Sequence, residues 1–242
     1  GASLAAIAVI VLGNTWLGGW LAMTGEWALP IAAFLGGSGT VLLAWRIANR
    51  SGQTAVATLL LAGIAINAVA GAATGLLTFY ANDEELRSLT FWTMGSLGHA
   101  GWDDLLVGAP FMLLALLAAP LLARPLDAFL LGESVVGHLG YRTDTVKKVA
   151  ILVVGLGVGA AVAVSGLIGF VGLVVPHLVR QLLGASHRVV LPLSALVGGT
   201  LLVAADSLAR VVVAPAELPI GLMMALIGGP FFLALLLRTK VI

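Results

Sequence analysis

Asp206 and Arg210 stand four residues apart in the otherwise uncharged stretch Val189–Val213. On a helix that spacing puts opposite charges on one face, where they satisfy each other. The four histidines (His99, His138, His177 and His187) are scattered, and His99 has no second histidine or carboxylate at ligand spacing. It reads as a solvated loop residue, and no metal site is expected. With no cysteine, disulfides and thiolate sites are excluded. No nucleophile and base can be paired, and no cofactor is expected. A G-x-x-x-x-G-K-[ST] phosphate loop is also absent, so an ATP-hydrolysing enzyme of that type is excluded. A carrier driven by protons or sodium usually needs carboxylates deep in its helices, and this chain offers none. A separate energising subunit would resolve both absences.

The elements that must position these residues are membrane helices. The chain is 60% hydrophobic and 10% charged, against about 25% charged in soluble domains. Charge-free runs cover Trp27–Trp45, Ser51–Asn82, Leu105–Ala123, Val189–Ala205 and Leu218–Leu237, where a span takes about 20 residues of helix, with a range of about 17–25. The runs do not alternate, which excludes a β-barrel reading. The expected fold is all-α: a polytopic transmembrane bundle with helices near Ala2–Leu12, Leu29–Ile47, Ala55–Tyr80, Asp104–Ala123, Val146–Val164, Ile168–Leu183, Val189–Val213 and Ile220–Leu237. The Lys147–Arg180 interval is too long for one span and too short for two. It is expected to be a hairpin of two short or tilted helices turning near Ser165-Gly166.

Eight spans segregate the charge. Arg46, Arg50, Arg124, Arg142, Lys147, Lys148, Arg180, Arg188, Arg238 and Lys240 fall on one side with Asp127, Glu133 and Asp144. Arg87 and Arg210 fall on the other with Glu26, Asp83, Glu84, Glu85, Asp103, Asp104, Asp206 and Glu217. The basic side is cytoplasmic by the positive-inside rule. Trp16, Trp20, Trp27, Trp92 and Trp102 collect at outer ends, as headgroup anchors do. The net charge of +1, with no basic aromatic patch, gives no sign of nucleic-acid binding. The chain begins at Gly1, without Met, inside an apolar segment, as a piece of a longer protein would.

Glycines at helix-contact spacing (Gly71/Gly75, Gly155/Gly159, Gly169/Gly172, Gly198/Gly199) are expected mostly to pack the bundle tightly. Two hydrated segments could carry partners. The inner one, Arg124–Lys148, exceeds a plain connector, and its apolar periodicity, broken by Gly132, Gly137 and Gly140, suggests short amphipathic helices. These could pack on the bundle or face a soluble partner. The outer one, Ala81–Asp103, holds an amphipathic stretch that could be an interfacial anchor or the lip of a pathway.

The stretches VSGLIGFVGLVVPHLVRQLLGASHRVVLPLSALVGGTLLVAADSLAR (164–210) and AELPIGLMMALIGGPFFLALL (216–236) resemble the permease subunits of bacterial ABC importers for iron–siderophores, haem and cobalamin. LLLAGIAINA (59–68) and LLGESVVGHLG (130–140) match the same family. The resemblance covers essentially the whole chain as a single transmembrane permease domain, residues 1–242, and RSLTFWTMGSLG (87–98) looks most like the haem permeases. It implies a ten-helix subunit, eight spans of which are present, with roughly two N-terminal helices missing. It also implies the partners: a second copy of the chain, a cytoplasmic ABC ATPase dimer, a periplasmic substrate-binding protein and the lipid bilayer of the inner membrane.

The resemblance assigns roles as well. Leu130, Gly132, Glu133 and Gly140 match the loop that docks into the ATPase. Arg210 matches an outer arginine that pairs with a glutamate of the binding protein, alongside its local pairing with Asp206. The helix Ala55–Tyr80 matches the pathway helix, with Val56 and Ala57 near a gate. Asn67 and Thr74 either face that pathway or bond between helices.

Overall fold

Alanine makes up about half of the buried apolar positions of this chain, while most of its leucines face outward. The computed structural model describes residues 1–13, 19, 23–49, 56–98, 100–213 and 218–238. Its buried positions are dominated by alanine, including Ala6, Ala28, Ala33, Ala160, Ala205 and Ala209, whereas Leu60, Leu61, Leu117 and Leu226 are exposed. Lipid already supplies apolar surroundings for leucine. Helix contact therefore falls to residues small enough for backbones to meet.

Every regular element among the described residues is a helix. In chain order these are α1 (Ala2–Leu12), α2 (Ala28–Ala48), α3 (Val56–Tyr80), α4 (Asp83–Met94), α5 (Trp102–Ala118), α6 (Ala123–Phe129), α7 (Glu133–His138), α8 (Thr143–Ser165), α9 (Val171–Leu183), α10 (His187–Val212) and α11 (Ile220–Arg238). Short 3-10 turns precede α2 (Gly25–Trp27) and join α5 to α6 (Ala119–Leu122). A helix stands at each of the eight expected spans. Five are long and apolar enough to cross a membrane, while Ala2–Leu12, Val171–Leu183 and Ile220–Leu235 are shorter.

The helices sort into two packed sets. In the first, α2 packs on α1, α3 and α8, and α8 packs on α5. Gly155 lets Val41 approach, and Gly159 admits Phe34 and Ser38. Phe34 in turn meets Phe111 of α5 at 5.1 Å between ring centroids. The second set is α9, α10 and α11, cored by Val175, Val179 and Val190 toward one end and by Ala205, Ile220 and Met224 toward the other.

Contacts between loops fix which ends lie together. The Lys148 ammonium sits 5.4 Å from the Trp45 ring centre, joining the end of α2 to the start of α8. Asp127 bonds to Ser186 and His187, joining α6 to the start of α10. At the opposite end the Ser96 N–H donates to the Ser165 carbonyl at 2.9 Å. The segments that carry Arg46 and Lys148 therefore lie together, as do those that carry Arg124 and Arg188.

The Lys147–Arg180 interval folds as the expected pair of helices turning at Gly166, and three other expectations need correction. The helix α8 starts at Thr143 and runs 23 residues, a full span of about 35 Å, because its lysines sit in the opening turns with their stems along the bundle. The unwound stretch Gly166–Phe170 then leaves α9 only 13 residues, about 20 Å. The fourth span does not stop at Ala123, since the helical course continues through the 3-10 turn at Pro120 into α6. Trp92 is no simple headgroup anchor, for it packs against Ala6, Ala33 and Ala163 inside the bundle. Trp102 is exposed, while Trp16 and Trp20 lie outside the described residues. Of the paired glycines, only Gly155, Gly159 and Gly198 pack. A Cβ at Gly71, Gly75, Gly169, Gly172 or Gly199 would meet nothing within 4 Å.

Candidate functional site

The inner segment is built as two short helices held by two glycine pins. Gly132 has φ +105° and Gly140 has φ +83°, backbone conformations that L side chains avoid. A Cβ at either glycine would meet nothing within 4 Å, so conformation, not space, requires them. Leu130, Leu131 and Leu139 are exposed on this hydrated face. Glu133, in the first turn of α7, pairs with Lys147 of α8. The Lys147 ammonium also lies 6.0 Å from the Phe129 ring centre. Glu133 stays 57% exposed, so the pair is screened and contributes no more than about 0.5 kcal/mol. Leu59 of α3 lines a cleft of about 260 Å³ with Leu126, Phe129, Glu133, Val146 and Lys147. The base of α3 therefore borders the α6–α7 segment.

A second joint sits beside the first. The Asp127 carboxylate accepts the His187 backbone N–H at 2.5 Å and the Ser186 hydroxyl at 3.1 Å, and lies 3.0 Å from His187 Nδ1. Arg188 Nε is 3.8 Å away. Asp127 thus caps α10 from a different helix. Such a carboxylate cap on the positive end of a helix dipole stabilises by about 1–2 kcal/mol. Sequence reasoning counts Asp127 only as an inner charge. Local capping rules point to Ser186, which has the extended backbone of an N-cap but makes no cap bond with its own side chain.

At the outer end, Arg210 Nε meets Asp206 Oδ2 at 2.8 Å. The predicted i,i+4 pair is present, and Arg210 remains 45% exposed. Around it the backbones close without side chains between them. A Cβ at Gly221 would fall 2.1 Å from the Met94 carbonyl oxygen, one at Gly95 2.3 Å from that of Leu167, and one at Gly166 2.5 Å from that of Trp92. Phe170 holds φ +68° at the start of α9, and its side chain fills the notch at Gly228. The outer helix α4 opens with a reciprocal capping box, Asn82 with Glu85, at 2.9 and 3.0 Å.

On α3, Asn67 and Ala57 are exposed, and Thr74 is half-buried with its carbonyl accepting the Thr78 hydroxyl at 2.9 Å. Val56 begins the helix, and its side chain lies outside the described residues. Leu60, Ile64, Asn67, Gly71 and Gly75 share one face that no neighbour covers. Ala62 and Ala70, on the other face, are buried. Among the described residues no three His, Asp or Glu side chains could hold a metal ion, and His99 lies outside them.

The model of the FecCD transport family matches residues 1–238. The chain belongs to the FecCD transport family. It is 47% identical over 210 residues to the hemin transport system permease protein HmuU of Yersinia pestis, covering 87% of this chain and 63% of that protein. It is 40% identical over 210 residues to the cobalamin import system permease protein BtuC of Halobacterium salinarum, covering 87% of this chain and 56% of that protein. The chain thus spans less than two thirds of the length of these relatives. A solved structure described as an inward-facing conformation of a metal-chelate type ABC transporter superposes with a TM-score of 0.85 at 31% identity, covering 98% of this chain and 73% of that one. The FecCD assignment and this likeness make the bundle an ABC transporter permease fold, a multi-pass membrane protein.

Proposed function

We propose that this chain is the permease subunit of an ATP-driven type II ABC importer, and that two copies form the pathway for haem across the bacterial inner membrane. The observation that supports it most is the inner face. Two short helices, pinned at Gly132 and Gly140 and tied to α8 through Glu133, present Leu130, Leu131 and Leu139 to water. An exposed apolar patch on an otherwise basic, hydrated face is what a soluble partner would cover. The partner is the ATPase, which supplies the hydrolysis that this chain has no phosphate loop to perform.

The remaining roles follow the same reading. The uncovered face of α3, with Ala57, Asn67 and Thr74, meets the second copy and lines the route, and Val56 stands at its inner mouth. Arg210 receives an acidic side chain of the periplasmic binding protein while Asp206 holds the guanidinium in place. Residues 1–242 act as one transmembrane domain. ATP-driven motion of the α6–α7 segment rocks the bundle, and substrate released by the binding protein crosses between the copies. The 47% identity to a hemin permease favours haem over the cobalamin relative at 40%.

Reconstitution of the full protein with its ATPase and binding protein tests the substrate. Haem should be taken up in preference to a ferric siderophore or cobalamin. Preferential uptake of either of the others would keep the machinery and change the cargo.

A further inference from the structure

We propose that Asp127 is the joint through which the ATPase-docking segment moves α10, and with it the outer pair Asp206–Arg210. The proposal rests on the reading of α6–α7 as the ATPase-docking segment.

Three observations carry it. First, α6 packs on α10 as well as on α7, and polar bonds across the α6–α10 contact converge on the Asp127 carboxylate, from Ser186, His187 and Arg188. Second, α10 is continuous from His187 to Val212. Its inner end is therefore about 35 Å from Arg210 along one helix. Val175 and Val179 of α9 bury themselves against Val190, so a push at the base tilts α10 with its neighbour instead of bending it away. Pro192 leaves the Arg188 carbonyl without its i+4 donor, which places the slack in the first turn, beside the joint. Third, an inner cleft of about 320 Å³ has Asp127, Arg124 and Arg188 on its wall and the exposed Leu131 and Leu139 at its edge. A partner seated on those leucines bears on the joint itself.

The chemistry suits a moving part. A carboxylate facing a helix N-terminus can exchange one N–H for the next, or for water, without a covalent or packing penalty. The joint can therefore hold in one state and slip in another. Residues 1–242 hold no cysteine, so a thiol label introduced in them has no competing site in this stretch.

The test uses the full transporter in lipid nanodiscs with its ATPase and binding protein. Asp127→Ala should cut the stimulation of ATP hydrolysis by the binding protein about fivefold or more, with the ATPase still co-purifying. Asp127→Asn, which keeps one carbonyl acceptor for the His187 N–H, should restore most of it. Spin labels on Leu121→Cys and Val189→Cys, both exposed, with labelled chain diluted into unlabelled chain so that one copy carries the pair, should give one narrow distance in the parent and a broadened one with Asp127→Ala. Stimulation within twofold of the parent, or an unchanged label distance, would overturn the joint while leaving the permease reading intact. Failure of the Asn variant to rescue would show that the acceptor bond to the His187 N–H does not carry the coupling, and would likewise overturn it. If the unmutated chain captures no ATPase, the permease reading fails and the joint with it.

Discussion

The two ends of this bundle are closed by opposite means. The outer end is sealed by backbone on backbone, where Gly95, Gly166 and Gly221 let carbonyls of Trp92, Met94 and Leu167 approach closer than any Cβ permits. The inner end is held by side chains: Asp127 on the start of α10, Glu133 on Lys147, and Lys148 over Trp45. A close-packed seam has no second arrangement nearby and acts as a rigid unit. A seam of side-chain hydrogen bonds and charge contacts can break and re-form one contact at a time, each at a cost of about 1–2 kcal/mol or less. The contrast supports the proposal that the moving joints lie at the end facing the motor.

Substitutions should separate the two ends. The largest effect is expected from Gly221→Ala, whose methyl would stand 2.1 Å from the Met94 oxygen and 2.7 Å from that of Leu167. With backbone on both sides the clash has nowhere to relax, so a loss of about 3 kcal/mol is expected, read as a lower melting temperature in detergent. A melting temperature like the parent's would mean that the outer seam has slack. Next comes Gly132→Ala at φ +105°, costing about 1–2 kcal/mol of backbone strain. Gly137→Ala is its control, because Gly137 lies inside α7 with open space around it. That variant should be neutral or stabilising by up to about 1 kcal/mol. Equal behaviour of the two would remove the pin role. Glu133→Gln should change stability by less than about 0.5 kcal/mol yet lower ATPase-coupled transport, and unchanged coupling would reassign α7 to packing. Arg210→Glu is comparably small in stability, about 0.5–1 kcal/mol from the lost Asp206 pair and the like-charge contact that replaces it. Its signature is weaker capture of the binding protein, measured by surface plasmon resonance on nanodiscs. Undiminished capture would leave Arg210 with the Asp206 pair alone.

Much of this was legible in the residues. Charge-free runs locate eight helices, because hydrophobic length is a local property. The breaks at Gly132 and Gly140 were legible for the same reason, since turn chemistry is written where the turn is. A short α9 was legible, but its start at Val171 was not, because Phe170 leaves the helix at φ +68° to fill the notch at Gly228 on another element. Asp127 was invisible because the helix it caps starts some 60 residues downstream. The glycines misled because spacing says that a backbone is bare, not what lies across from it. Gly159 meets Phe34, while Gly71 and Gly75 face the uncovered side of α3.

Uptake into proteoliposomes tests the central claim most directly. The full protein would be assembled with its binding protein and either the active ATPase or a hydrolysis-dead variant, and haem accumulation followed after ATP is added. Accumulation with the active ATPase, and none with the dead one, is the predicted result. Equal accumulation in both, or in vesicles holding this protein alone, would contradict a permease driven from its inner face.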